Sequence, residues 1–123
     1  MKKPSTFGPY SPIRRAGNLC FVAGQVGVDS SGEALDGFSD QFELVIQNLK
    51  SVLASEGLSL ENVINVRVYL TDMSDFTKLN DSFKKHFDGI GPSRECVGVS
   101  SLPDVAKNGV KLRVEMSAVA FRD

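Results

Sequence analysis

Two stretches of alternating apolar and polar residues constrain the fold more than any other feature of this sequence. One lies between residues 64 and 71, and the other between residues 110 and 120. Successive side chains of a β-strand point to opposite faces, so each stretch predicts a strand with two different faces. The apolar positions of the second stretch are Val110, Leu112, Val114, Met116, Ala118 and Ala120, and they alternate with Lys111, Arg113, Glu115 and Ser117.

Two other segments show the spacing of amphipathic helices. The first helix is predicted to begin near Ser39, a suitable N-cap residue, and to end at Gly57. The second begins near residues 74–75 and ends at Gly89, with His86 as either a cation in its last turn or a surface residue. Its aromatic residues are predicted to be core packing. The apolar stripes are Phe42, Val45, Ile46, Leu49, Val52 and Leu53 in the first helix, and Phe76, Leu79, Phe83 and Phe87 in the second.

The order of these elements predicts an α+β fold in a single domain that spans residues 1–123. Earlier strands are expected at residues 10–15 and 19–22, and an extension of the second one to Val28, past an irregularity near Gln25, stays open. A mixed sheet with both helices on one face accounts for this order. The other face of the sheet then lies uncovered, and its apolar content favours a partner subunit.

Composition excludes several classes of protein. The net charge of −1 gives no electrostatic footprint for nucleic acid, which is therefore not expected as a main partner. No apolar run is long enough to cross a membrane, and the N-terminus lacks a signal-peptide core, so a cytoplasmic location is expected. Cys20 and Cys96 lie in apolar strand patterns and are expected to be free thiols. One histidine and no cysteine pair at ligand spacing argue against a metal site.

An arginine lies directly behind a Gly-Pro turn in residues 91–103. The turn ends the preceding element, and an apolar alternation typical of a strand follows. Arg94 is therefore placed at the mouth of a strand, where a planar guanidinium can grip a carboxylate through two parallel hydrogen bonds. For a lone arginine, a surface ion pair or a solvated strand end is the commoner explanation.

Further motifs occur in order along the chain. They are Gly8-Pro9-Tyr10, Gly17-Asn18-Leu19 with residues 21–25, residues 47–50, residues 68–73 with Asp75-Phe76, and Val114-Glu115 with residues 118–120. Together with residues 92–103, they resemble the signature of the Rid family, also called YjgF/YER057c/UK114. Each motif is weakly specific alone, whereas the ordered set, from residue 8 to residue 121, is strong.

The resemblance implies a chorismate-mutase-like fold, with a mixed six-stranded sheet, two helices on one face and a homotrimer that buries the other face. It also implies hydrolytic deamination of 2-enamine and 2-imine acids, such as 2-aminoacrylate and 2-iminopropanoate, to 2-keto acids and ammonia. No cofactor is expected, because the imine carbon is already electrophilic and a positioned water attacks it. The expected partners are this small molecule and further copies of the chain.

By the same resemblance, two residues carry the chemistry. Arg94 anchors the substrate carboxylate, and Glu115 positions or activates the water. Main-chain groups at Cys96 touch the ligand, and its thiol is given no nucleophilic role. The pocket is expected between subunits, with Arg94, Cys96 and Glu115 on one chain near the open sheet face. Taken alone, Glu115 would be interpreted as an exposed charge on an edge strand.

Three more residues are expected to bind substrate. Tyr10 lines the pocket with its hydroxyl, Gly24 allows close approach of the backbone, and Asn80 lies on the second helix. Taken alone, Tyr10 would be a turn aromatic and Asn80 a helix-surface amide. The chain departs from the family at Ala23, where a serine is usual, and at Glu95, which adds a negative charge beside Arg94 if it faces the cleft.

Two other functions stay open at this point. One is a regulator that binds a small keto or amino acid without turnover, and fold membership does not exclude it. The other is the ribonuclease or translation-inhibitor activity with which parts of the family are labelled. The presence of both Arg94 and Glu115 argues for turnover. The near-neutral charge and the absence of tryptophan argue against strong RNA binding.

Overall fold

A computed structural model describes residues 5–123, which form five strands and two α-helices. The elements follow one another in the predicted order of strands, helix, strand, helix, strands. Short 3₁₀ turns precede the third strand and the second helix. The bounds are β1 Ile13–Ala16, β2 Leu19–Val26, α1 Phe38–Ala54, β3 Val63–Leu70, α2 Phe76–His86, β4 Ser93–Gly98 and β5 Val114–Phe121, with the 3₁₀ turns at Leu60–Asn62 and Met73–Asp75.

The strands form one mixed sheet in the order β1-β2-β5-β3-β4. β3 and β4 are parallel, and α2 supplies the crossover that a parallel pair requires. The pairs β1–β2, β2–β5 and β3–β5 are antiparallel. The predicted irregularity in β2 is confirmed as a register shift between Val22 and Gln25, where the strand bulges against β5.

The prediction of six strands is wrong, because the part of the chain that the structure describes contributes five strands to the sheet. Val28 makes a single isolated bridge with Ala34 and starts no further ladder. The chain leaves the sheet at Gly27, which lies against the backbone of α1. A Cβ at this position would come within 2.5 Å of the Gln41 carbonyl oxygen.

Some element ends also differ from the prediction. β1 begins at Ile13 rather than at residue 10, and α1 begins after Gly37, whose φ is 104°, rather than after Ser39. The last strand begins at Val114 rather than at residue 110. The segment before it packs instead in a small second cluster, whose buried members are Val26, Val28, Ala34 and Leu112.

One face of the sheet lies under both helices and forms the main core. α1 contributes most of the cover, since its apolar stripe is completely buried against β2 and β5. Alternate residues of β3 and β5 supply the floor, as the sequence pattern predicts. The largest fully buried apolar side chains are Ile13, Phe38, Phe42, Ile46, Leu49, Leu53, Leu70, Leu79 and Met116.

The opposite face carries large apolar side chains that no element of residues 5–123 covers. Phe21 is 47% exposed, Val97 is 44% exposed and Phe121 is 39% exposed. The register places Phe21 beside Val119, and Val97 beside Tyr69, on this same face. The predicted open face is therefore present. We call it the open face below.

The close approach of Gly27 to α1 gives a test of the packing. We expect Gly27→Ala to lower the free energy of unfolding by ~1–3 kcal/mol, because the new Cβ meets backbone atoms of Gln41 that cannot move aside as a side chain would. Urea denaturation measures the change. Gly91→Ala is the matched control, since a Cβ there meets its nearest neighbour at 3.8 Å. Equal stability of the two variants would contradict this packing.

Candidate functional site

Arg94 lies on the face of β4 that the helices cover. It pairs with Val66, which is fully buried in the main core, so the two side chains share that face. Its guanidinium carbon lies 5.6 Å from the ring centroid of Phe76 and 5.0 Å from that of Phe83. One terminal nitrogen of Arg94 donates a 2.7 Å hydrogen bond to the side-chain oxygen of Asn80.

The three partners of Arg94 lie on one side of α2. Phe76, Asn80 and Phe83 are spaced by four and then three residues, so they form one stripe along the helix. Both aromatic rings are close enough to attract the cation. The prediction that these phenylalanines are core packing therefore holds only in part, because Phe76 is 38% exposed. Their spacing around Asn80, in the helix that precedes the arginine strand, was the available sequence signal.

Cys96 follows Arg94 on the same face and packs against the edge of the main core. Burial raises the pKa of its thiol, and the nearby Arg94 charge opposes only part of that rise. The thiol therefore stays protonated at neutral pH. A protonated thiol is a poor nucleophile, in keeping with the expectation that Cys96 has no nucleophilic role.

Glu115 lies on the open face, near the start of β5. It pairs with Tyr69 of β3, and its neighbours Val114 and Met116 point the other way into the core. The carboxylate rests on Gly24, where a Cβ would come within 2.5 Å of the Glu115 Oε2 atom. Gly24 sits in the β2 bulge, so glycine there makes room for the Glu115 side chain. Partial burial raises the pKa of the Glu115 carboxyl above its usual range.

Tyr10 lies in the same region as Gly24. Its side chain is exposed, and it lines the same surface depression as Ala23 and Gly24. The Thr6 hydroxyl donates to the carbonyl oxygens of Gly8 and Tyr10, at 2.8 Å and 3.2 Å, and so supports the turn that carries Tyr10. Tyr10, Gly24 and Glu115 thus lie in one region of the described structure.

The expected site residues fall into two groups. The arginine group, on the helix-covered face, consists of the expected residues Asn80, Arg94 and Cys96 and of two phenylalanines that were not expected there, Phe76 and Phe83. The glutamate group, around the β2 bulge, consists of Tyr10, Gly24 and Glu115.

The expectation that Arg94, Cys96 and Glu115 all lie near the open face is wrong for the first two. Strand residues alternate between faces, and the parallel register of β3 with β4 puts Arg94 beside the buried Val66. The same alternation settles the orientation of Glu95. It points to the open face, where its carboxylate lies 3.6 Å from the Arg67 guanidinium, and so away from the Arg94 cleft.

Comparisons with known proteins agree with this fold. Residues 1–121 match the family described as endoribonuclease L-PSP. A RutC family protein of Pyrococcus horikoshii is 39% identical, over 98% of this chain and 92% of its own length. The crystal structure of RidA from an Antarctic Psychrobacter superposes with a TM-score of 0.87 at 34% identity, covering 98% of this chain and 94% of that one.

A further relative carries a functional name. TdcF of Escherichia coli, provisionally named a reactive intermediate deaminase, is 34% identical over 96% of this chain and 92% of its own length. Its crystal structure with bound serine has a TM-score of 0.88 at 32% identity, covering 98% of this chain and 94% of that one.

These matches define a class of protein with two helices on a mixed sheet. The chain belongs to the Rid family, whose members are also described as endoribonuclease L-PSP. Within residues 5–123, no helix is both long enough and apolar enough to cross a bilayer. The cytoplasmic location stays a prediction. The expected absence of a signal-peptide core rests partly on residues 1–4, which lie outside the described residues.

The raised pKa of Glu115 predicts a pH-dependent effect on stability. Folding favours the protonated carboxyl, so this group stabilises the fold at low pH and loses that contribution as the pH rises through its folded-state pKa. We therefore expect Glu115→Gln to melt above the parent at pH 7. The difference should vanish below the ordinary glutamate pKa of about 4.3.

Melting temperatures measured across this pH range test the effect. Glu61→Gln is a control at an exposed position, and we expect it to show no such pH-dependent gain. A Glu115→Gln variant that melts below the parent at pH 7 would show that the carboxylate, rather than the acid, is the form that the fold favours.

Proposed function

We propose that this protein hydrolyses reactive 2-imino acids, in equilibrium with their 2-enamino tautomers, to 2-keto acids and ammonia. Compounds of the 2-iminopropanoate and 2-iminobutanoate type are the proposed substrates. The observation that carries the proposal is the Arg94 guanidinium. Side chains of α2 hold it in place, and most of its N–H donors remain available to a ligand. The provisional name of TdcF as a reactive intermediate deaminase supports the same reaction class.

The arginine group suits a carboxylate anchor. A guanidinium has five N–H donors, and the contact with Asn80 uses one of them. Phe76 and Phe83 hold the guanidinium by its charge, without occupying its remaining donors. A substrate carboxylate can then accept two parallel hydrogen bonds from a group that is already in place, so less ordering entropy is lost on binding. The serine bound in TdcF also carries an α-carboxylate.

The glutamate group suits proton transfer. A glutamate whose pKa lies above its usual range is closer to neutrality, where a general acid–base catalyst works best. In the proposed step, Glu115 takes a proton from water as the water oxygen bonds to the C=N carbon. Glu115 passes that proton to the imine nitrogen, which gives a carbinolamine. It then takes the proton of the new hydroxyl and passes it to the amino nitrogen, as the C=O bond forms and the C–N bond breaks. Both protons of the water thus reach the nitrogen, and one water gives one 2-keto acid and one ammonia.

The separation of the two groups supports an assembled site. Arg94 lies on the helix-covered face and Glu115 on the open face, so one copy presents the two groups on opposite sides of its sheet. We propose a homotrimer in which the apolar open face, with Phe21, Val97 and Phe121, is buried against a neighbour. Each pocket would then combine the arginine group of one copy with the glutamate group of the next.

The alternatives differ in measurable ways. A regulator without turnover would bind keto acid and leave the imine half-life unchanged. Ribonuclease activity, which the family description names, would require RNA binding at a chain with a net charge of −1. A coupled assay, in which a dehydratase generates 2-aminoacrylate from serine, separates turnover from binding alone.

We expect Arg94 and Glu115 to have separable roles. Arg94→Ala should weaken the binding of pyruvate or 2-ketobutyrate by about one to two orders of magnitude, because hydrogen bonds to a charged group are lost. Arg94→Lys should weaken this binding nearly as much, since an ammonium does not form the two parallel hydrogen bonds of a guanidinium. Glu115→Gln should keep keto-acid binding and slow imine hydrolysis ~10²–10⁴-fold.

Calorimetry with the keto acid and the coupled deaminase assay measure these two quantities. Lys85→Ala, on the exposed surface of the last turn of α2, is a control that should retain both. If Arg94→Ala binds and turns over like the parent, the proposed anchor is wrong. If Glu115→Gln keeps full rate, the water is positioned by other groups.

A subunit-mixing experiment tests the assembled site. Arg94→Ala and Glu115→Gln should each retain little activity alone at low imine concentration, but a mixed oligomer contains some interfaces with both native residues. Equal, random mixing in a closed ring should restore about a quarter of the parent activity. Co-refolding the two variants and assaying the mixture measures this, and sedimentation equilibrium reports the copy number. No recovery in a fully mixed oligomer would place both residues in the same copy.

A further inference from the structure

An ion pair between a buried carboxylate and a partly buried guanidinium joins the start of α2 to the start of β5. Asp75, the residue before α2, is 1% exposed, and both of its carboxylate oxygens accept hydrogen bonds from Arg113. The two donors are the Nε and one terminal nitrogen of the guanidinium, each at 3.0 Å. Such a two-pronged contact fixes the orientation as well as the distance between its partners. Lys78 lies farther from the carboxylate, at 3.9 Å.

Two hydrogen bonds hold the backbone of Arg113 in place. Its N–H donates to the Gln41 side chain at 2.7 Å, and its carbonyl accepts from the Thr71 N–H at 3.2 Å. Gln41 is completely buried, and its amide nitrogen donates to the carbonyls of Leu35 and Lys111 at 3.0 Å each. The ion pair therefore connects the first turn of α2 to a network that α1 and the sheet already fix.

α2 depends on such polar attachments more than α1 does. Along its eleven residues only Leu79 and Ser82 are fully buried, whereas the long apolar stripe of α1 lies completely in the core. At its C-terminal end, His86 bonds to Glu43 of α1 at 2.8 Å. At its N-terminal end, the Asp75–Arg113 pair is the corresponding attachment. Phe76, the residue that follows Asp75, is a contact of the Arg94 guanidinium.

We propose that the Asp75–Arg113 ion pair positions the substrate anchor, by holding the first turns of α2 so that Phe76 and Asn80 stay against the Arg94 guanidinium. Asp75 and Arg113 are positioning residues, because they act through α2 and do not touch the substrate. The proposal rests on the proposed function for its catalytic consequence. The ordering of Arg94 by this ion pair is independent of any reaction.

Asp75→Asn is the informative variant. It keeps the shape and one acceptor oxygen but removes the charge, and the one-third-exposed Arg113 side chain can turn to water. We avoid Arg113→Ala, because it would leave a buried carboxylate without its partner and endanger folding. Arg113→Lys is the second variant, since it keeps the charge and loses the fork. Asp104→Asn, in the exposed Lys111–Asp104 pair, is the matched control with the same chemical change.

We expect Asp75→Asn and Arg113→Lys to raise the KM for the imine and the Kd for pyruvate by about three- to tenfold, with kcat changed less than about twofold. The reason is that the substrate carboxylate must now order the Arg94 side chain when it binds, whereas the proton transfer by Glu115 is not affected. All measurements are made well below the melting temperature of each variant. A purely structural role would lower the melting temperature and leave KM, Kd and kcat unchanged.

The order of Arg94 gives a readout that needs no substrate. In the unliganded protein, ¹⁵N relaxation of the Arg94 Nε–H group should show a rigid side chain in the parent and in Asp104→Asn. The same group should be mobile in Asp75→Asn and Arg113→Lys. Arg94 that stays equally rigid in all four proteins overturns the proposal, whatever the parent does with imines. If the parent neither binds keto acid nor hydrolyses imine, the proposed function fails, and the relaxation data alone decide this inference.

Discussion

The burial of one sheet face under α1 is the interaction on which the other features of this protein depend. It commits every strand residue to one of two sides, because strand side chains alternate. Val66 lies in the core, so its register partner Arg94 lies on the same side of the sheet, where α2 contacts the guanidinium. Glu115 goes to the other side, next to the β2 bulge. The proposed site, which needs both groups, would therefore require a second copy of the chain to complete it.

The physical chemistry of the two groups is complementary. Arg94 keeps a permanent charge in a partly apolar setting, where two aromatic rings and an amide oxygen hold it without neutralising it. Glu115 is shifted towards its neutral form by burial. In the proposed function, the Arg94 guanidinium binds the substrate carboxylate, and Glu115, with its raised pKa, exchanges protons with water and the imine nitrogen. The TdcF structure with bound serine shows that a protein of this fold accommodates a small amino acid.

Much of the architecture was predictable because it follows from local patterns. The helical stripe of α1 and the alternation of β3 and β5 each describe one buried face, and the structure confirms both. The sixth strand was wrong because Gly27 packs against α1 and takes the chain out of the sheet. The role of Phe76 was missed because an aromatic residue in a helical stripe has the same pattern whether it contacts a core side chain or a guanidinium.

The sequence by itself determined the order of elements, the family and the residue types of the candidate site, since these depend on spacing and on motifs within short segments. Only the tertiary structure decided which side of the sheet each residue takes and which partners it meets. The register of β4 against β3 separates Arg94 from Glu115. The Asp75–Arg113 pair, 38 residues apart, is likewise invisible in local pattern. The physical reason is that strand pairing and ion-pair geometry join segments distant in sequence, and no periodicity within either segment records the partner.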